Sequence, residues 1–158
     1  MRILLINTSD RTGGAAVAAN RLLKALQKTG VSANMLVRDK ITQDTSVVSI
    51  NTSAAKKLIN RIRFVWERLV IFLCNHLSKE NLFQVSIANT GTDIRHYALV
   101  READVIHIHW INQGMLSLSD IKRLIDSGKP VVWTLHDMWP ATGVCHYAAL
   151  CDQYRSEC

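Results

Sequence analysis

The chain has 158 residues, of which 48% are hydrophobic and 20% charged. These values are typical of one globular domain with its own core, and they exclude wholesale disorder. The first apolar run, residues 3–6, is too short for a secretory signal. No segment reaches the roughly 18–20 apolar residues of a membrane-spanning helix. We therefore expect a cytoplasmic protein.

The net charge of +6 is concentrated in one segment. Residues 54–79 contain six lysines and arginines and a single acid, Glu67. Such a cluster indicates an anionic partner, which could be membrane lipid, a phosphorylated ligand or nucleic acid. No nucleic-acid-binding motif accompanies the charge, so we expect no nucleic-acid partner.

Strand and helix patterns alternate along the whole chain. Short apolar runs predict strands at residues 1–7, 31–37, 45–50, 83–87, 104–110 and 131–135. Helical patterns occupy residues 15–28, about 53–77, 93–101 and a segment that Ser117 opens, with Asp120 in its first turn. The alternation predicts one α/β domain over residues 1–158, a Rossmann-like, doubly wound parallel sheet with helices on both faces.

Glycines follow the first predicted strand, in the sequence Thr12-Gly13-Gly14-Ala15-Ala16. A glycine at a strand-to-helix turn lets a ligand approach the backbone, and a helix N-terminus favours an anion. Gly13 and Gly14 are therefore candidate substrate-binding residues. The segment matches neither the dinucleotide-binding fingerprint nor the Walker A motif. A tight turn that needs no ligand stays open as the alternative.

His136 and Asp137 follow the last predicted strand, at the start of a turn-rich loop. Ligands of open α/β sheets bind at the carboxyl ends of the strands. The two residues are thus the candidate catalytic pair, although a polar pair that merely ends a strand would look the same.

His107 and His109 alternate along the strand before that one and share one of its faces. We expect His107 to lie deeper, in the core. His109 lies nearer the carboxyl end, beside Asn112, and these two are candidate substrate-binding residues. A metal would need a third ligand, which the sequence does not offer nearby, so we assign no metal.

Cys145, Cys151 and Cys158 crowd the last 14 residues, with His146 beside the first. Their spacing is looser than that of paired zinc knuckles. Free thiols and part of a structural zinc site, completed by a ligand beyond residue 158, both stay open.

The predicted helix at residues 53–77 has an apolar arc and a basic flank. The arc comprises Leu58, Ile62, Val65, Leu69, Phe72 and Leu73, and the flank comprises Lys57, Arg61 and Arg68. Packing against the sheet would explain the arc. Attachment of residues 56–77 to an anionic membrane surface would explain both the arc and the flank.

Taken together, these segments resemble the amino-terminal domain of family-4 glycosyltransferases, which have the two-domain GT-B fold. The resemblance is carried by the Gly13-Gly14 loop, the block from Asp104 to Asn112 with its following helix, and the block from Gly128 through Pro140 to Tyr147. The family implies retaining transfer from a nucleotide-sugar to a glycan or lipid-linked acceptor, with no cofactor and no catalytic metal. It also implies a role in surface polysaccharide synthesis at the inner face of the membrane.

The resemblance also implies roles for single residues. Gly13 and Gly14 match the glycines that approach donor phosphate and acceptor, His136 matches a cleft histidine, and Asp137 would orient its loop. The family's donor-binding motifs lie in a second domain that this chain lacks, so we expect the chain to be part of a longer enzyme. A non-catalytic Rossmann-like module that binds a phosphorylated or nucleotide ligand is the alternative.

Overall fold

Five parallel strands form a single sheet in a computed structural model that describes residues 1–156 and 158. The strands are β1 (Arg2–Ser9), β2 (Ser32–Asp39), β3 (Val47–Ser49), β4 (Val105–Ile108) and β5 (Val131–Trp133), in the order β3-β2-β1-β4-β5. The helices are α1 (Gly14–Lys28), α2 (Ala54–Cys74), α3 (Ala98–Glu102) and α4 (Leu118–Ile125). The predicted fold class is confirmed.

Each face of the sheet has its own apolar core. Side chains of β1 alternate between the faces, so Leu5 packs with Leu23 of α1 while Leu4 and Ile6 face the opposite side. There they pack in one cluster with residues of α3 and α4, including Leu124. Burial on both faces explains why β1 is an almost continuous apolar run.

Helix starts follow the predicted caps. The Ser53 side chain accepts a hydrogen bond from the Lys56 backbone N–H, and α2 begins at Ala54, directly after Ser53. Ser117 and Asp120 form a reciprocal capping box at the start of α4. Both predicted starts are confirmed.

The strand predicted at residues 83–87 is wrong. This segment makes one antiparallel bridge, between Val85 and Cys145, and joins no ladder of the sheet. Its backbone groups find other partners: the N–H groups of Ile87 and Ala88 donate to Glu67 Oε1 at 3.0 and 3.1 Å. An apolar pattern alone does not reveal such partners.

The helix predicted at residues 93–101 begins later, at Ala98. The Asp93 carboxylate accepts a hydrogen bond from the Arg95 backbone N–H and pairs with the Arg95 guanidinium at 2.7 Å. An aspartate that bonds the backbone two residues ahead stabilises a turn, so these residues precede the helix rather than start it.

Helix α2 has the opposite orientation from a packed amphipathic helix. Its buried residues are Asn60, Glu67, Arg68 and Ile71, three of which are polar. The predicted apolar arc instead faces outward, with Leu58 and Ile62 59% and 57% exposed. Packing of this arc against the sheet is therefore ruled out, and placing Arg68 on the solvated flank was wrong. No helix in the described part of the chain is long and apolar enough to cross a membrane.

Candidate active site

A cavity of about 540 Å³ lies at the carboxyl edge of the sheet. Its walls come from the end of β1, the start of α1 and the loops that follow β4 and β5. The lining includes Gly13, Gly14, Arg38, Trp110, His136 and Asp137. The topology produces this convergence, because the carboxyl ends of parallel strands meet at one edge.

The start of α1 presents bare backbone to the cavity. Gly13 precedes the helix with a φ of 89°, a conformation that favours glycine, and no side chain caps the first turn. A Cβ added at Gly14 would meet no atom within 4 Å. The first-turn N–H groups are thus accessible from the space that both glycines line.

Asp10 holds the loop before α1 in place, a role that the sequence analysis missed. Its carboxylate is buried and accepts hydrogen bonds from Ile41 N at 2.8 Å, Thr42 N at 2.9 Å and Thr42 Oγ1 at 2.6 Å. Burial by itself would raise the Asp10 pKa, but the hydrogen bonds from Thr42 and Ile41 outweigh it and hold the pKa below its ordinary value.

Three histidines form a contiguous row beside the cavity. Nδ1 of His109 lies 2.9 Å from Nε2 of His136, and the rings of His107 and His109 stack with centroids 4.5 Å apart. His107 Nε2 lies 2.7 Å from Thr134 Oγ1. His109 and His136 follow β4 and β5, and the adjacency of these two strands brings the two rings together.

The relative depth expected for the first two histidines is reversed. His109 is only 3% exposed, whereas His107 is half-buried. His136 and the indole of Trp133, whose Nε1 donates to the His109 carbonyl at 3.1 Å, cover the carboxyl end of β4. Helix α1 contacts β1 and β2, and this leaves His107 with less cover.

Burial favours the neutral form of each histidine in the row. Burial lowers the pKa of His109 to about 4, with further lowering from His107 and His136. Burial also lowers the pKa of His136 and of His107. Neutral imidazoles can donate and accept hydrogen bonds at once, so His136 offers the cavity a hydrogen-bonding group rather than a cation.

Asp137 binds three groups around it. Its Oδ2 lies 2.6 Å from His146 Nδ1 and accepts from Trp110 Nε1 at 2.8 Å, while Oδ1 accepts from the Trp139 backbone N–H at 3.0 Å. The carboxylate thus ties the loop after β5 to the end of β4. Catalytic roles for His136 and Asp137 stay predictions.

His146 is a site residue that the sequence analysis did not assign. It is 5% exposed, lines the cavity and lies with Nε2 3.0 Å from Ser86 Oγ. The signal available was the block through Tyr147 that carries the family resemblance, because this block contains His146, which the sequence analysis considered only beside a possible zinc site. His146 joins the cavity wall to the segment after α2.

Asn112 and His109 lie behind the cavity wall rather than on it. Asn112 is 3% exposed, and its backbone carbonyl accepts from Thr8 Oγ1 at 3.3 Å. Among the described residues, the amide nitrogen of Asn112 and Nε2 of His109 have no hydrogen-bond partner. Their substrate-binding role stays a prediction.

Arg38 supplies a cation to the cavity that sequence reasoning also missed. Its side chain is largely buried, donates to the Gln113 carbonyl and binds the Asp39 carboxylate at 2.6 Å. The ring of Phe64 lies 5.9 Å from its guanidinium carbon. These contacts fix the position of the guanidinium, and the Asp39 carboxylate partly neutralises its positive charge.

The cysteines are free, and within residues 1–156 and 158 no group of three or more ligating side chains could hold a metal ion. Burial raises the pKa of the Cys145 thiol, with further raising from Cys158 and Cys151. The Gly143 backbone N–H donates to Cys158 Sγ at 3.0 Å. A zinc site that needs a ligand from beyond the chain stays a prediction.

Comparison with known proteins gives a short region of similarity. No known protein family matches the chain, and no solved structure matches it. A protein of Escherichia coli (strain K12) named "Putative colanic acid biosynthesis glycosyl transferase WcaC" is 33% identical over 60 residues. The match covers 34% of this chain and 15% of that protein. Over this third of its length, the chain is therefore similar to a protein named as a glycosyl transferase.

Proposed function

We propose that this chain is the acceptor-side domain of a retaining, family-4-like glycosyltransferase with the GT-B fold. The single observation that carries the proposal is the cavity where the uncapped start of α1 and His136 share one space. The second Rossmann-like domain, which would bind the nucleotide-sugar, lies outside these 158 residues. The acceptor is a glycan or a lipid-linked glycan.

The start of α1 suits the departing diphosphate of a nucleotide-sugar. Free N–H groups and the positive end of the helix dipole stabilise an anion, and they need no reorganisation during the reaction. The open space at Gly14 lets a phosphate oxygen come close to these groups. Gly13, with its positive φ, sets the turn that exposes them.

His136 suits the sugar side of the reaction. Its lowered pKa, caused by burial, favours the neutral ring, which can donate and accept hydrogen bonds to sugar hydroxyl groups. Asp137 holds the loop that carries His136, through its bonds to Trp110 and His146. In this proposal His136 contacts substrate and Asp137 is a positioning residue.

The product class rests on the relative. Its name assigns it to colanic acid biosynthesis. We extend this to a role for the present enzyme in building a surface polysaccharide, at the inner face of the membrane.

The test is transfer by an enzyme that contains this domain and a second, donor-binding domain. Nucleotide-sugars and lipid-linked acceptors are the substrates, and NMR of the product reports the anomeric configuration. Retention of configuration supports the proposal, and inversion overturns it. The 158-residue chain alone should transfer nothing, because a GT-B site is a cleft between two domains; turnover by the chain alone contradicts this arrangement.

A non-catalytic module that binds a phosphorylated or nucleotide ligand is the second candidate. The uncapped start of α1 favours it, since exposed amides suffice to bind an anion. The two candidates differ in one measurement. The two-domain protein binds nucleotide in both cases, but it forms product only in the first.

A further inference from the structure

Helix α2 carries most of its apolar side chains on the outside of the molecule. We name as the apolar stripe of α2 six residues that are each between 43% and 59% exposed: Leu58, Ile62, Val65, Trp66, Leu69 and Leu73. Contiguous exposed apolar patches of this kind mark sites of protein or membrane interaction.

Contacts on the inner side of α2 fix this orientation. The buried carboxylate of Glu67 accepts from two backbone N–H groups, and Arg68 donates to the carbonyl of Val85 at 3.0 Å and pairs with Glu67 at 3.2 Å. Two turns earlier, Asn60 Nδ2 donates to Asn51 Oδ1 at 2.6 Å. Rotation of the helix would leave these polar groups buried without partners, so the stripe stays outside.

Cations border the stripe. Lys57 and Arg61 are exposed along one flank of the helix, and Lys79 is exposed just after it. Glu67, the single acid between residues 54 and 79, is buried and paired with Arg68. The exposed charge of α2 itself is thus positive.

We propose that α2 docks on an anionic phospholipid bilayer and lies in its interface, with the apolar stripe inserted and Lys57 and Arg61 against the phosphates. The helix has 21 residues and no capacity to span. A second copy of the chain would fit less well. An isologous contact would bring Lys57 and Arg61 of two copies close together, whereas lipid headgroups supply an anion to each of these cations.

The docking surface adjoins the candidate active site. Lys57, Arg61 and Phe64 line a smaller cavity of about 190 Å³, and this cavity shares Arg38 and Asp39 with the larger one. A bilayer at α2 therefore lies beside the cavity entrance. The inference goes beyond the proposed function and holds whether or not the protein transfers a sugar.

Vesicle co-sedimentation of the 158-residue chain tests the proposal. Phosphatidylcholine vesicles with phosphatidylglycerol should bind the protein at least about tenfold more tightly than phosphatidylcholine alone, because each nearby cation contributes to attraction. Raising the salt concentration should weaken binding through screening. Equal binding to both vesicle types, or no binding to either, overturns the proposal.

Two matched pairs of variants separate the apolar and electrostatic parts. Ile62→Ser/Leu69→Ser should lower partitioning at least about tenfold, because insertion depends on apolar area. The control Leu118→Ser/Ile125→Ser alters two apolar residues of α4 that are 59% and 49% exposed and should have no effect. Lys57→Glu/Arg61→Glu should also lower binding at least about tenfold, while Arg21→Glu/Lys28→Glu on α1, with the same charge change, should not.

All the substituted positions are exposed, so we expect each variant to fold. Thermal unfolding checks this for each variant. Analytical ultracentrifugation without lipid tests the alternative that a second copy of the chain covers the apolar stripe. A dimer that Ile62→Ser/Leu69→Ser dissociates, together with vesicle binding that the same variant retains, would assign the stripe to a second copy and overturn the lipid proposal.

Discussion

Nε2 of His136 lies 2.9 Å from Nδ1 of His109, so a ring on the cavity wall is held by a ring that is almost fully buried. Burial lowers the pKa of both groups, and the hydrogen bond joins two neutral imidazoles at neutral pH. The orientation of His136 is thus set from the end of β4 as well as from its own loop.

This pair predicts a loss of stability in mild acid. The His109 pKa falls from its ordinary value of 6.5 to about 4 in the folded protein, because of burial. Between these values the unfolded chain binds the proton more readily. Stability is therefore fully present above pH 6.5 and decreases as the pH falls toward 4.

Thermal unfolding across this range measures the effect, with His109→Asn as the comparison. The variant should show a flatter dependence on pH in the same window. Asp44 and Asp93, whose pKa values are lowered to about 2 by bonds to Lys24 and Arg95, act below this window. An identical slope in both proteins would contradict the assignment to His109.

His136→Ala should reduce turnover of the two-domain enzyme by about 100-fold or more, which is typical for loss of a polar contact to the transition state. Steady-state kinetics with a nucleotide-sugar measure it. The folded state is checked by near-UV circular dichroism. Turnover close to that of the unaltered enzyme would leave His136 a purely structural role.

Gly14→Val should abolish ligand binding at small cost in stability. The added side chain would occupy the open space that a phosphate needs, and the backbone of Gly14 has no positive φ. Gly13→Ala is the contrast: its φ of 89° makes the substitution strained, at about 1–2 kcal/mol. Calorimetric titration with a nucleoside diphosphate measures ligand binding, and denaturant unfolding measures stability. If Gly14→Val still binds the nucleotide, the loop is only a turn and not a ligand-binding site.

Arg68→Leu should destabilise the protein by about 3–5 kcal/mol, because it leaves the buried Glu67 carboxylate without its partner. The exposed Arg61→Leu is the control and should change stability by less than about 0.5 kcal/mol. Urea unfolding measures both. Equal effects would show that the Glu67–Arg68 pair contributes little to holding α2.

Much of the fold was predictable because it depends on local patterns. The apolar run of β1 and the caps at Ser53 and Ser117 are properties of short segments, and the structure has them where expected. The carboxyl-end placement of His109 and His136 was predictable from the sequence, whereas their contact depends on the adjacency of β4 and β5, which the structure shows.

Features that depend on distant partners were not predictable. The periodicity of α2 revealed a stripe but not which side faces the protein, and that side is set by Glu67 and Arg68 binding the segment at residues 82–88. His146 enters the site through Asp137 and Ser86, and Ser86 is 60 residues away in the chain. The spacing of residues along the sequence predicts neither the contacts of α2 nor those of His146.

The polar attachment of α2 has a thermodynamic consequence. Separation of a helix from a domain usually exposes apolar surface and so raises the heat capacity. Three of the four buried residues of α2 are polar, and exposure of polar surface lowers the heat capacity instead. Detachment of α2 therefore carries a small heat-capacity change, and its attachment varies less with temperature than the two apolar cores on either side of the sheet.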